Sequence, residues 1–545
     1  MKQISKTNFK VLLVYPNLYG MLVPSIAIAI FTKILKNEGY QVELFETTNY
    51  TDEIVASPAN RVNNLQARKF SYESDLGLKS KTGTVFSDFR KRVQEYKPDV
   101  MFVSAVEDVI VQAADLLQVV DDLDIPHLVG GVFPTAAGKK CFEFSSIKNI
   151  ALGEGEPIII EFSERVRKGV PFSDIPGTMC RDNFGKIKVN PKPALVNIDK
   201  VTPDFSLYDE QRFYRPMGGK IFKTVPVETY RGCPYSCTFC NSPMQREFSK
   251  NSNQGNFLRR KTMLALAEEL RQNLTINEAE LIYFIDDSFL ARPRAEIFEF
   301  CKMYEEFMLP FWWQSRVENV DDEILVRLAE VNSFRMSFGI ECGNEDYRSK
   351  VLRRNISNAK ILDQFKIISR SSIPFSVNLI IGMPGETREL IMDTVELVRS
   401  VQGYDSLTVS YFTPYHGTVL RTVAIANKWM DGTTITNHTM SGSILEMPPP
   451  YVSSQDIDGL MRTLPLYCYF PKSDWKDVER AEIFDDEGNQ IYKELSERYR
   501  SEFFSDVALP GLEVVGATGC RSNPRDSFRT SPKRLSEEQI VALVG

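Results

Sequence analysis

Six short apolar runs recur between residues 225 and 412, and each is separated from the next by a segment of helical spacing. The runs are "VPVETY", "LIYFIDD", "FWWQSRV", "RMSFGIE", "FSVNLIIG" and "SLTVSYF". The segments between them include "TMLALAEELRQNL", "AEIFEFCKMYEEFM", "DEILVRLAEV", "AKILDQFKIISRS" and "ELIMDTVELVRSV". A chain that alternates strand and helix in this way returns each strand to the same end of a sheet, so the sheet is parallel. Six units fall short of the eight that close a full barrel. The expectation for residues 220–424 is therefore a partial (β/α)6 TIM-like barrel.

A second alternating set precedes it. "FKVLLVYP", "QVELFETT", "DVMFVSAV", "HLVGGVF" and "NIALGEGEP" read as strands buried on both faces, with helical patterns after the first and third. This predicts a doubly wound, Rossmann-like domain over residues 1–169, interrupted by a polar, irregular insertion from Asn60 to Arg92. Residues 170–219, rich in Pro, Asp and Lys, read as a linker. Residues 425–545 read as a mixed, mostly helical region closing the substrate side, with a loosely ordered polar end. The fold class is α/β throughout its first two domains.

Composition narrows the function. A formal net charge of -7 over 545 residues argues against a nucleic-acid partner. No run is long and apolar enough for a bilayer span, because "MLVPSIAIAIFTKIL" meets Lys33, and the amino terminus shows no signal pattern. The expected location is the cytoplasm, away from any membrane. Nine cysteines in such a chain do not predict a disulfide framework, and three histidines (His127, His416 and His438) leave little scope for histidine chemistry.

Three of those cysteines stand in "ETYRGCPYSCTFCNSP", directly after the first barrel strand. Barrel active sites gather at that end of the strands. Cys233, Cys237 and Cys240 give one thiolate to each of three irons of a cubane cluster and leave the fourth iron open. A structural zinc site requires four ligands, and no other Cys or His lies nearby in sequence. Cys141, Cys180, Cys301, Cys342, Cys468 and Cys520 are isolated and read as small buried apolar residues.

The loop "RGCPYSCTFC" resembles the C-x3-C-x2-C loop of the radical S-adenosylmethionine (SAM) enzymes. That resemblance implies a [4Fe-4S] cluster whose open iron is chelated by SAM, cleaved on reduction to a 5'-deoxyadenosyl radical. It implies SAM contacts at Phe239 beside the third cysteine and at Asp286 or Asp287 in "YFIDDSF". It also implies contacts at Glu341 in "GIECGNE" and at Gly382 in "IIGMPGET". Arg316, in "QSRVENV", is placed to pair with the SAM carboxylate or a substrate anion. An Asp at the turn after "YFI" also suits a helix N-cap. His416, in "YFTPYHGTVL", is a candidate substrate contact.

A doubly wound domain ahead of such a barrel resembles the cobalamin-binding branch of the same superfamily. "VGGVFPT" and "GEGE" match its glycine turns, which implies cobalamin contacts at Gly130, Gly131, Gly153, Glu154 and Gly155, with Ser104 at the third strand edge. Open α/β sheets bind ligands at such edges. The D-x-H-x-x-G sequence that supplies a histidine ligand to cobalt is absent, so the implied cobalamin is held without one.

The resemblance therefore implies a cobalamin-dependent radical SAM methyltransferase acting on an unactivated carbon of a small molecule, served by an electron donor such as flavodoxin or ferredoxin. Two other outcomes stay open. One is an oxidative cyclase or rearrangement enzyme of the same architecture, and the other is an iron-sulfur sensor or electron carrier.

Overall fold

In the computed structural model of the chain, residues 4–51, 58–182, 184–371 and 373–504 are described. The five apolar runs of the first domain form β1 (Lys10–Tyr15), β2 (Gln41–Glu46), β3 (Val100–Ser104), β4 (His127–Gly130) and β5 (Asn149–Ala151). They pair in parallel in the order β2-β1-β3-β4-β5. The order reverses beside β1, which opens a crevice at the carboxyl ends of the strands. The helix Ile26–Asn37 follows β1, starts where Ser25 Oγ accepts from Ile28 N at 3.4 Å, and buries Ile28, Ala29 and Leu35. The fourth run is shorter than expected: the strand stops at Gly130, and Gly131, at φ +128°, turns the chain into the helix Val132–Cys141.

The segment 170–219 contributes more than a connection. β6 (Thr178–Arg181) and β7 (Ile187–Val189) extend the first sheet in antiparallel fashion beyond β5. All three residues of β7 are exposed, so no apolar alternation marks it in the sequence. β8 (Tyr214–Met217) pairs antiparallel with β9 (Lys220–Val227) and so belongs to the second sheet.

That sheet is the expected partial barrel. After the two-residue strands β10 (Tyr230–Arg231) and β11 (Arg259–Arg260), the chain supplies β12 (Leu281–Phe284), β13 (Phe311–Arg316), β14 (Ser333–Glu341), β15 (Phe375–Ile381) and β16 (Ser406–Tyr411). The order is β16-β15-β14-β13-β12-β9-β8, with all pairs from β9 to β16 parallel. Along β13 the residues alternate. Phe311, Trp313 and Ser315 are buried, and Trp313 packs on Phe289 and Phe338, while Trp312, Gln314 and Arg316 are partly open on the other face. The adjacent Trp312 and Trp313 are thus split between inner face and outer core, as period-two geometry requires.

An open barrel leaves the backbone of its last strand unpaired. Here the Asn60–Arg92 insertion covers it: Val409 N on β16 donates to Gln66 Oε1 at 3.0 Å. Tyr492 Oη, on the helix Asp486–Tyr499, donates to Asn63 O at 2.7 Å and fixes the insertion from outside. The insertion is not irregular throughout, since it starts on the helix Pro58–Asn63 and runs into the helix Val85–Tyr96. The carboxyl-terminal region is irregular from 427 to 453 and mostly helical from Ser454 to Phe504; its helix Ser454–Tyr469, opened by a Ser453–Asp456 capping box, packs on β16 and on the helix Arg388–Arg399. Cys520 and the polar end lie outside the described residues. Among the described residues no helix is long and apolar enough to cross a membrane.

Candidate active site between the two sheets

The cysteine loop leaves the carboxyl end of β9. Gly232 turns it at φ +96°, where a Cβ would stand 2.9 Å from the Phe257 ring. Arg246 then holds it from below: its Nη1 donates to Cys233 O at 2.9 Å and Tyr235 O at 3.2 Å, and its Nη2 to Ser236 Oγ at 2.9 Å. Thr238 Oγ1 donates to Val351 O at 2.7 Å, and Leu420 N donates to Thr238 O at 3.1 Å. The loop is therefore shaped by the protein around it.

Burial pushes the Cys233 thiol up to about 11 and the Cys240 thiol to about 12, and raises Cys237 as well. Such thiols ionise at neutral pH only against a cationic partner, so they suit a metal cluster better than free nucleophilic chemistry. Among the described residues no three Cys, His, Asp or Glu side chains gather around a single ion.

Arg316, at the end of β13, reaches the loop. Its Nη1 lies 3.6 Å from Cys237 Sγ, its guanidinium sits 3.8 Å from the Tyr235 ring centroid, and it pairs with Glu318. Its Nε is buried without an acceptor among the described residues. Phe239 packs, partly buried, against the barrel core.

The two aspartates after β12 have opposite fates. Asp286 is 2% exposed and accepts from Thr229 N at 2.8 Å, Tyr230 N at 3.0 Å, Thr229 Oγ1 and Arg292 Nη2. Its oxygens are taken up in closing the β9–β12 turn, so of the expected pair only Asp287 is free to face a ligand. Asp287 lines the inter-sheet cavity, meets Ser242 Oγ at 3.0 Å, and is raised by burial and then by Asp286 and Glu228.

Glu341 closes β14 at φ +66°, at a register shift opposite β15. Arg354, a residue with no sequence signal, donates to its Oε1 at 2.9 Å, while burial raises its pKa overall. Gly382, at φ +81°, follows β15, and Ile457 of the carboxyl-terminal helix packs where its Cβ would be. Gly382 N donates to Glu386 Oε2 at 2.7 Å, and burial pushes fully buried Glu386 up to about 8.

Opposite this rim lies the carboxyl edge of the first sheet. A cavity of about 490 Å³ separates the two and is lined from the first domain by Ser104, Gly130, Gly131, Gly153, Glu154 and Gly155. From the barrel side Glu228, Arg231 and Asp287 line it. A Cβ on Gly131 would overlap the Ala105 carbonyl, and one on Gly155 would reach 2.7 Å from the Phe31 ring. Small residues here keep the backbone open to a ligand. Glu154 has a different task from the others. Burial alone would raise it, but Arg259 and Arg231 outweigh that and hold it below the usual range. Arg231 Nη1 bridges Glu154 at 2.8 Å and Glu156 at 2.9 Å, and its Nη2 reaches Glu228 at 3.0 Å, so this cluster joins the two domains. His416 also serves the join: its Nδ1 stands 2.7 Å from Glu107 Oε1, which ties the loop after β16 to the turn after β3.

Residues 227–398 match the profile of the Radical SAM superfamily. The barrel is a radical SAM domain. The chain is 26% identical over 404 residues to an uncharacterized methyltransferase of Pyrococcus horikoshii, covering 72% of this chain and 83% of that protein. It is 22% identical over 387 residues to cytidylyl-2-hydroxyethylphosphonate methyltransferase of Streptomyces wedmorensis, covering 63% and 70%. Its fold is that of the radical SAM methyltransferase TsrM from Kitasatospora setae, solved with cobalamin and a [4Fe-4S] cluster. There the TM-score is 0.59 at 15% identity over 91% of this chain and 99% of that one. The cobalamin-dependent radical SAM enzyme OxsB, with aqua-cobalamin bound, superposes with TM-score 0.60 at 14% identity, covering 98% and 78%.

Proposed function

We propose that the chain is a cobalamin-dependent radical SAM methyltransferase acting at an unactivated carbon of a small molecule. The observation that carries this reading is the cavity between the sheets, which sets the glycine edge of the first domain against the cysteine-loop rim of the barrel. Relatives named as methyltransferases and a shared fold with TsrM and OxsB support it. When bound, the [4Fe-4S] cluster and SAM supply a 5'-deoxyadenosyl radical, and cobalamin supplies methyl transfer.

The residues fit these groups. Three partly buried thiols whose ionisation is held back need a cationic partner, and the orphaned Arg316 Nε offers a donor to the SAM carboxylate. Asp287, open to the cavity, and half-buried Glu341 present carboxylates to the ammonium and ribose ends of SAM. The Arg231 cluster fixes the two edges in register and, with the carboxyl-terminal helix on Gly382, limits water in the chamber. A reduced flavodoxin or ferredoxin is the donor we propose.

The test is anaerobic reconstitution followed by product analysis with SAM and reductant. S-adenosylhomocysteine and 5'-deoxyadenosine formed together support the methyltransferase. 5'-Deoxyadenosine with no methylated product under any substrate mixture points to the cyclase or rearrangement outcome, and neither product points to a sensor or carrier.

A further inference from the structure

Two arginines three residues apart meet opposite circumstances. Arg212 is 1% exposed, pairs with Glu46, and donates from Nε to Leu22 O at 3.1 Å and from Nη2 to Met21 O at 3.3 Å. Arg215, on β8, has no such company: among the described residues no carboxylate and no hydrogen-bond acceptor meets its guanidinium. It lies over two rings instead, 4.9 Å from the Tyr283 centroid and 4.7 Å from the Trp312 centroid. Those rings stack on each other at 4.1 Å and are register partners on β12 and β13.

The rings lie on the inner face of the barrel. Just past the end of β12, Ile285, two residues beyond Tyr283, and Asp287 line the inter-sheet cavity. Arg215 therefore closes the inner end of the lumen whose outer end is the reaction chamber. The strand ends at Phe284 and the chain bends at Asp287, so the two ends lie at most about 13 Å apart.

A second cation joins it there. Arg61 comes from the insertion that closes the open side of the barrel, and its one acceptor among the described residues is Gln66 Oε1 at 3.2 Å. Burial first, and then the Arg215 charge, bring Arg61 down to about 10. His438 stands within reach of Arg61, and burial together with that charge pushes it down to about 4, so it adds no positive charge at neutral pH. Both guanidiniums stay protonated in a protein. Two enclosed like charges without a counter-ion are unfavourable. Cation–π contact uses the face of Arg215 but none of its five N–H donors, and it leaves Arg61 unexplained.

We propose that Arg215 and Arg61 receive an oxyanion, a carboxylate or a phosphate, at the far end of an elongated substrate whose reacting carbon lies toward Asp287. The inference rests on the reading of the chamber given above. The Tyr283 and Trp312 rings flank the middle of that substrate, and Trp312 Nε1 is already committed to Ser337 Oγ at 3.0 Å, so the anion falls to the arginines.

Isothermal titration of the full chain with inorganic phosphate, and separately with succinate, at constant ionic strength tests this. One of the two anions binds the wild type, and Arg215→Met and Arg61→Met each weaken that binding at least about tenfold, the loss expected for charge-assisted hydrogen bonds. Methionine keeps most of the bulk of each side chain, and if one variant fails to fold the other decides. Equal affinity in all three proteins, or no binding of either anion at millimolar concentration, overturns the proposal. SAM cleavage by the wild type is measured alongside. Arginine-dependent anion binding without SAM cleavage would overturn the assigned reaction and leave the anion site standing. Cleavage with arginine-independent binding would overturn the anion site alone.

Discussion

The two sheets present their carboxyl ends to one cavity but in opposite chemical styles. The first-domain edge is nearly bare: Gly130, Gly131, Gly153 and Gly155 expose backbone, and its carboxylates, Glu154 and Glu156, are met by Arg231, with Arg259 also on Glu154. The barrel edge is crowded with ionisable groups: three raised thiols, Asp287, Glu341 and Arg316. The contrast separates two kinds of binding. A large cofactor that carries its own reactivity needs room and a close backbone, whereas a small charged one that must be cleaved in place needs fixed charges around it.

Variants of one edge should spare the other. The largest effect is expected at the loop: Cys237→Ser removes cluster absorbance and takes 5'-deoxyadenosine below detection, while cobalamin still co-purifies. Next, Gly131→Ala forces an L side chain to φ +128° and into the Ala105 carbonyl, at a cost of about 3 kcal/mol in chemical denaturation. It lowers bound cobalamin at least about tenfold, yet iron content stays at the wild-type value.

The two aspartates sharpen the point within the barrel edge. Asp286→Asn lowers stability by about 2 kcal/mol, because four donors, one of them Arg292, lose a charged acceptor. Asp287→Asn leaves stability near wild type and raises the SAM concentration for half-maximal 5'-deoxyadenosine formation about tenfold. Equal effects of the two changes in both assays would erase the distinction drawn between them.

The smallest effect concerns pH. Glu386 keeps its proton in the fold up to about pH 8, whereas an unfolded glutamate loses it near 4.5. The native state thus binds more protons in that window, and stability falls as pH climbs through it, levelling off above pH 8. Glu386→Gln mimics the protonated form, still accepts from Gly382 and Met383, and is more stable than wild type at pH 9. At pH 5 the two match, as denaturation midpoints will report.

The strands of both sheets and the cysteine loop were legible because each depends on local pattern: continuous apolar runs, glycine turns and fixed cysteine spacing. β7 escaped because an exposed three-residue edge strand carries no apolar signal, and β6 because its four residues, though three are buried, are too few and too mixed to stand out. The division between Asp286 and Asp287 escaped because it is decided by which carboxylate meets Thr229 and Arg292, a matter of three-dimensional placement. Arg246, Arg354 and Arg231 escaped for the same reason, since long side chains act far from their own place in the chain. The insertion read as irregular because its role, covering β16 through Gln66, exists only once the barrel is left open.

The account stands on one chamber serving two cofactors. The most direct measurement is the absorption spectrum, with iron analysis, of the full chain reconstituted and purified without oxygen. The account predicts a [4Fe-4S] cluster and cobalamin in equimolar amounts, with cobalamin lost in Gly131→Ala and the cluster lost in Cys237→Ser. A chain that holds the cluster but retains no cobalamin would contradict it.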